Sequence, residues 1–293
     1  MTQTSLSTVS EPDMAPRFGG RALPAGESWP EDTALLVLTY SKNEHFIPAA
    51  RQNIDMFWPN RPELFVVTDG DLTGRDVIRG KNLSFVALLA HALDTVQTRK
   101  PQARFVYLLL EDLVPLGHVD ERYMRAVEET MRERGEKYFV TLCQGSGKQR
   151  KSPRATEVFG ADADRLGLHQ MDPDATAYNC LVTCWWDIDH LREVVDHKLA
   201  KGQDSPWDFE QPDPMMRTPH YMAEDCWPTF RSGFLKLGTF SKHLDRPHAF
   251  PESPLLRMVL DEYRKAGTPV ARFRKQLTRW DRHVRLALKG GAP

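Results

Sequence analysis

Three short, nearly unbroken apolar runs organise the first half of the chain: ALLVLTY at residues 34–40, LFVVT at 64–68 and FVYLLL at 105–110. A strand covered on both faces reads this way, without polar alternation, so the runs predict parallel strands inside a layered sheet. Between them, apolar residues recur at helical spacing near 45–58 and at 83–96 (LSFVALLAHALDTV). The pattern continues with a helix near 121–134, a strand at 138–142, and a strand-like piece after Ala177 that runs into a helix at about 188–199.

Strand, helix, strand, helix, strand predicts an open sheet with right-handed crossovers, in which ligands bind beyond the carboxyl ends of the strands. The chemistry is therefore sought at Thr39-Tyr40-Ser41, at Thr68-Asp69-Gly70 and at Glu111-Asp112-Leu113. No Gly-x-Gly-x-x-Gly follows the first strand, and no phosphate loop ending in Gly-Lys-Ser/Thr occurs, so neither a dinucleotide fold nor a nucleotide hydrolase is supported. A nucleotidyltransferase would carry a Gly-rich, cationic loop after the first strand, and residues 39–44 (TYSKNE) are not one.

Residues 1–32, rich in Ser, Thr, Pro and Gly without hydrophobic period, predict a flexible leader. The sequence then divides into a catalytic unit at 33–260 and a C-terminal helix at 261–293. In 144–154 (QGSGKQRKSPR), glycine and several cations predict a mobile loop, with closure over substrate as the sharper alternative.

The chain has 293 residues, 41% of them apolar, enough for a sizeable core in one large domain. A formal net charge of -1 lacks the basic excess of a nucleic-acid binder. There is no signal-peptide pattern and no run of about 18 apolar residues, which predicts a cytoplasmic protein. In a reducing compartment its four cysteines (Cys143, Cys180, Cys184, Cys226) stay as thiols, and Cys180 and Cys184 have no neighbouring pair to complete a zinc set.

Adjacent carboxylates at the end of a buried strand are costly unless their charge is compensated, and a divalent cation (Mn2+ or Mg2+) bridging to a diphosphate does this. The alternative is that Glu111 and Asp112 simply open the next element and face water. Asp69 is a candidate donor contact or one half of an Asp-Gly turn. Arg79 and Lys81 are candidate phosphate contacts or solvated cations, and His220, His243 and His248 are further ligand candidates or satisfied histidines.

The combination of YLLLEDLVPLG (107–117), WWDIDHLREVV (185–195) and SPWDFE (205–210) resembles bacterial glycosyltransferases of the GT-A type that assemble capsule or lipopolysaccharide, over residues 34 to 210. The resemblance implies an α/β, Rossmann-like open mixed sheet flanked by helices, with a C-terminal helical extension. It implies transfer of a sugar from a nucleotide-sugar donor to a glycan or lipid-linked acceptor, with a sugar-nucleotide-binding subunit that has lost turnover as the alternative. Glu111 and Asp112 would then hold metal and donor diphosphate, with Thr39, Tyr40, Asp69, Arg79 and Lys81 on the donor side, while Trp186 and Trp207 shape the acceptor pocket. An inverting transfer needs a carboxylate to take the acceptor hydroxyl proton, for which Glu210 or Asp208 is the candidate. The apolar walls Trp207 and Phe209 favour Glu210 by raising its proton affinity.

From Val270 onward, Val270, Phe273, Leu277, Trp280, Val284 and Leu288 recur at three- and four-residue intervals among seven cations. This basic amphipathic pattern predicts peripheral contact with an anionic membrane at its inner face, or a helix docked on its own domain.

Overall fold

The computed structural model describes residues 22–24, 26–111, 115, 118–141, 151–152, 155–174, 178–181, 183–213 and 218–223. These form an α/β layer structure around an open mixed sheet. The chain runs β1 (Thr33–Thr39), a 3-10 segment (Ser41–Phe46), α1 (Ile47–Phe57), β2 (Glu63–Thr68), β3 (Val77–Arg79), α2 (Phe85–Arg99) and β4 (Phe105–Leu110). It continues through α3 (Glu121–Arg134), β5 (Tyr138–Thr141), β6 (Lys151–Ser152), α4 (Ala155–Phe159), α5 (Ala161–Arg165) and β7 (His169–Met171). The last described elements are β8 (Cys184–Asp187), α6 (Ile188–Ala200), α7 (Pro206–Glu210) and β9 (Tyr221–Ala223).

The nine strands among the described residues lie in the order β3-β2-β1-β4-β8-β5-β9-β7-β6. The first four are mutually parallel, as the unbroken apolar runs of β2, β1 and β4 predict. β8 then runs antiparallel between β4 and β5, and β9 is parallel to β5. The four short strands β3, β6, β7 and β9 were not legible in the sequence. Each has two or three residues, too few to show a period.

Alternation along the strands sends neighbouring side chains to opposite faces, and the two tryptophans of β8 use this. Trp185 stacks between Phe105 and Phe139 at centroid distances of 4.8 and 5.4 Å on the face covered by α1 and α3. Trp186 packs on the other face, against Tyr138 at 4.3 Å, among residues of α2, α6 and α7. Each such aromatic pair contributes about 0.5–1.5 kcal/mol beyond its buried area.

Helix starts follow local chemistry. Ser84, Asp120 and Asp187 each accept the amide three residues ahead at the starts of α2, α3 and α6. α3 stops at Gly135, whose φ of +69° is the left-handed cap that glycine takes most cheaply.

The folded unit begins earlier than residue 33, which corrects the extent of the predicted leader. Leu23 and Trp29 are buried, and the fully buried Glu128 of α3 accepts the Trp29 indole N–H at 2.8 Å, the Thr33 hydroxyl at 3.0 Å and the Tyr107 hydroxyl at 2.9 Å. Arg132 pairs with both Glu128 and Asp32. A segment poor in apolar residues is thus ordered by a few polar anchors that composition does not reveal. Residues 1–21 and the predicted C-terminal helix at 261–293 lie outside the described residues, as do Cys143, Cys226, His243, His248 and nearly all of the loop at 144–154.

Candidate functional site

From β1 the chain crosses to β2 and β3 on one side, then returns to β4 on the other. The sheet order therefore reverses between β1 and β4, and in open α/β sheets the crevice at that reversal, beyond the carboxyl ends of the strands, is where ligands bind. Tyr40 follows β1, Asp69 follows β2 and Glu111 follows β4, so all three stand on this edge. Glu111 is buried, and its backbone N–H extends the β1–β4 ladder to Leu38 O at 3.1 Å. Its carboxylate accepts the Asn43 side-chain amide.

Asp69 Oδ1 accepts the Ser41 backbone N–H at 2.5 Å. Tyr40 sits near both acids. Its phenol is pushed up to about 12, first by burial, then by the negative charges of Glu111 and Asp69, so the hydroxyl keeps its proton at neutral pH and can donate. Lys42 Nζ lies 5.6 Å from the centre of the Tyr40 ring.

Glu44, which sequence reading overlooked, organises this edge. Its carboxylate accepts the Thr68 hydroxyl at 2.7 Å and the backbone N–H groups of Leu72 and Asp71 at 3.0 and 3.2 Å. Gly70 makes room for it, since a Cβ there would lie 2.7 Å from Glu44 Oε2 and closer still to Oε1. The only sequence signal was that the polar run Ser41-Lys42-Asn43-Glu44 directly follows a strand end.

Of the other predicted donor residues, Thr39 is buried, with its hydroxyl 3.4 Å from Tyr40 O. Arg79 ends β3 with an exposed side chain, and its carbonyl contacts His91 Nε2 at 3.1 Å. Lys81 forms an exposed pair with Asp71 at 3.6 Å. Asp112 lies outside the described residues.

The second constellation is held at the same edge. β8 is antiparallel to β4, so its first residue, Cys184, paired with Leu108, lies toward the carboxyl end of β4. Just ahead of it, Thr183 has a φ of +47°, an uncommon conformation for a β-branched residue. The Leu181 N–H donates to Glu210 Oε1 at 3.3 Å. Phe209 approaches Phe85 at 6.5 Å, and Phe85 approaches Tyr40 at 6.3 Å, which links α7 to the end of β1 through aromatic contact.

α7 is a single helical turn with every visible means of anchoring. Ser205 and Asp208 close a capping box, Phe209 is fully buried, and the Nζ of the buried Lys198 donates to Asp208 O and Gln211 O, each at 2.9 Å. Asn179 donates to Phe209 O at 3.2 Å.

The two base candidates differ in surroundings. Asp208 accepts the Ser205 hydroxyl at 2.6 Å and the Ser205 N–H at 3.2 Å, and these bonds hold it below its ordinary carboxylate value. Burial raises Glu210, opposed by the Leu181 N–H bond. Trp207 is 69% exposed, whereas Trp186 is fully buried and its indole N–H points to Cys184 Sγ at 3.1 Å. A ring with no accessible surface packs the core, so Trp186 has no face to offer an acceptor. His220 is likewise buried, with both ring nitrogens in contact with protein groups.

Among the described residues no three His, Cys, Asp or Glu side chains form a group able to hold a metal ion. Of the acidic pair read as metal ligands, Glu111 accepts the Asn43 amide and Asp112 lies outside the described residues. The described cysteines, Cys180 and Cys184, are buried. No described helix is long and apolar enough to cross a membrane.

The sequence matches no protein-family profile and no curated protein. Among solved structures, the chain is similar to core-mannan synthase A from Aspergillus fumigatus in its Mn/GDP form. Identity is 10%, coverage is 67% of this chain and 70% of that one, and the TM-score is 0.30. Overlap this low assigns no role to any residue.

Proposed function

We propose that this chain is a glycosyltransferase of the GT-A type, moving a sugar from a nucleotide-sugar donor to a glycan or lipid-linked acceptor in cell-surface polysaccharide synthesis. The reaction class comes from the resemblance carried by YLLLEDLVPLG, WWDIDHLREVV and SPWDFE. The observation that supports it best is the meeting of Tyr40, Asp69 and Glu111 at the sheet's reversal point, with α7 on the same edge. The donor occupies the β1–β4 crevice, where Tyr40 donates and Asp69 and Glu111 accept hydrogen bonds from hydroxyl groups. Arg79, Lys81 and Lys42 supply the positive charge a diphosphate needs.

On the acceptor side, Trp207 offers an exposed ring and Glu210 is the base. Burial raises its proton affinity toward the range useful near neutral pH, while Asp208 is committed to capping α7. A divalent ion, if one acts, would draw on Glu111 and Asp112 and would stabilise the departing diphosphate. The basic amphipathic sequence after Val270 would hold the enzyme against an anionic membrane.

Thermal shift with a panel of nucleotide sugars, each with and without manganese, tests this reading. A donor at 100 times its Kd stabilises the fold by about 2.7 kcal/mol, roughly 5–10 °C for a domain of this size. Glu111→Gln should remove that shift, whereas Glu210→Gln should keep it and lower transfer by roughly 100-fold or more, the scale of lost general-base assistance. A panel in which no nucleotide sugar moves the transition or is turned over would refute the proposal.

A further inference from the structure

At the opposite edge of the sheet, two histidines unrelated to the proposed site meet in the interior. His190 lies in the first turn of α6 and His220 immediately precedes β9, and their Nε2 atoms are 3.1 Å apart. His220 Nδ1 is 2.9 Å from the Tyr178 carbonyl oxygen, and His190 Nδ1 is 3.5 Å from Glu193 Oε2. Tyr178 stacks on the His220 ring at 4.2 Å with an interplanar angle of 6°, Tyr138 approaches its ring at 4.1 Å, and Trp186 meets it edge-on.

The directions of these bonds follow from donor and acceptor chemistry. A carbonyl only accepts, so His220 Nδ1 carries a hydrogen, and neutral His220 presents a bare Nε2. His190 Nε2 must then be the donor. In neutral His190 this leaves Nδ1 bare, with its lone pair toward the Glu193 carboxylate. One added proton at that nitrogen turns the mismatch into an ion pair and breaks no other bond. A proton added to His220 Nε2 would instead set two N–H groups against each other.

We propose that His190 and His220 form a buried proton-binding dyad that takes up one proton at His190 Nδ1, completing a relay from Glu193 through both imidazoles to the Tyr178 carbonyl. The charged and titratable groups facing the dyad fit this assignment. From α6 and its cap come Glu193 and Asp187, Lys137 before β5 pairs with Asp187 at 3.0 Å, and Tyr138 and Tyr178 flank His220. Burial lowers both histidines, His220 further than His190, which agrees with His190 charging first. His220 O also accepts the Met171 N–H at 2.8 Å, so the dyad ties α6 to β9 and, through it, to β7. Proton uptake thus acts where the outer strands join the sheet.

Imidazole nitrogen NMR of histidine-labelled protein tests the proposal without any substrate. At neutral pH, His220 should appear as the Nδ1–H tautomer and His190 as the Nε2–H tautomer. On acidification His190 should charge while His220 stays neutral. Glu193→Gln changes an exposed side chain, and should lower the His190 midpoint by roughly half a pH unit, the scale of a surface ion pair, with the His220 tautomer unchanged. An Nε2–H tautomer at His220, charging of His220 before His190, or a His190 midpoint unmoved by Glu193→Gln would each overturn the dyad.

Discussion

Lys198→Met separates two contributions that a buried lysine combines. The ammonium is held in the interior by Asp208 O and Gln211 O, and burial lowers its pKa. Replacing it removes two charge-assisted hydrogen bonds, each about 1.5–3 kcal/mol. It also removes a desolvation cost of several kcal/mol. Neither carbonyl is orphaned, because Asp208 O still accepts Gln211 N–H at 3.2 Å and Gln211 O still accepts the Asn179 amide at 3.4 Å. The opposing terms leave a net loss of about 1–2 kcal/mol, or roughly 3–6 °C in Tm. Lys198→Ala adds the loss of about three buried methylenes at ~0.8 kcal/mol each, and should cost about 3–5 kcal/mol.

The difference matters because α7 has one turn and few bonds of its own. In Lys198→Met, amide exchange at Phe209, whose N–H bonds Ser205 O at 3.0 Å, should accelerate far more than global stability accounts for. Transfer should fall with it, since Glu210 and Trp207 ride on this turn. Urea denaturation and hydrogen exchange measure the two effects. A Met variant that loses more than about 4 kcal/mol would show that the ammonium is a strong net stabiliser, and unchanged exchange at Phe209 would show that it does not hold α7.

His220 makes the fold acid-sensitive. Its pKa falls from an ordinary 6.5 to about 3, so the unfolded chain binds the proton more tightly. Stability is full above about pH 6.5 and declines as pH falls toward 3, by about 3 kcal/mol at pH 4 at 1.36 kcal/mol per unit. His220→Gln should flatten that decline in urea titrations at pH 7 and 4, and an unchanged slope would remove His220 as its source. Glu128→Ala strips the acceptor shared by Trp29, Thr33, Tyr107 and Arg132, and should cost about 3–5 kcal/mol with loss of protection at residues 26–33 by hydrogen exchange; retained protection would mean that these residues are held some other way. Truncation after Ala271 should abolish co-sedimentation with anionic vesicles, and equal binding by the shortened chain would refute membrane attachment.

The apolar runs at 34–40, 64–68 and 105–110 were sufficient to predict the parallel strands, because a strand buried on both faces leaves no room for polar residues. Helices α2, α3 and α6 were legible for a related reason: the signals that mark a helix are local. Strand ends were predictable as well, so Tyr40, Asp69 and Glu111 could be selected before their neighbours were known. Which way β8 runs is decided by long-range pairing, and only that direction brings Leu181, and with it Glu210, toward the end of β4. Consecutive tryptophans look alike in a sequence, yet the pleat sends Trp185 and Trp186 to opposite faces of the core. Glu44, Lys198 and the His190–His220 pair were invisible for the same physical reason. A polar side chain takes its role from the partners it meets on folding, and partners of these residues lie up to 42 residues away along the chain, beyond the reach of any local period.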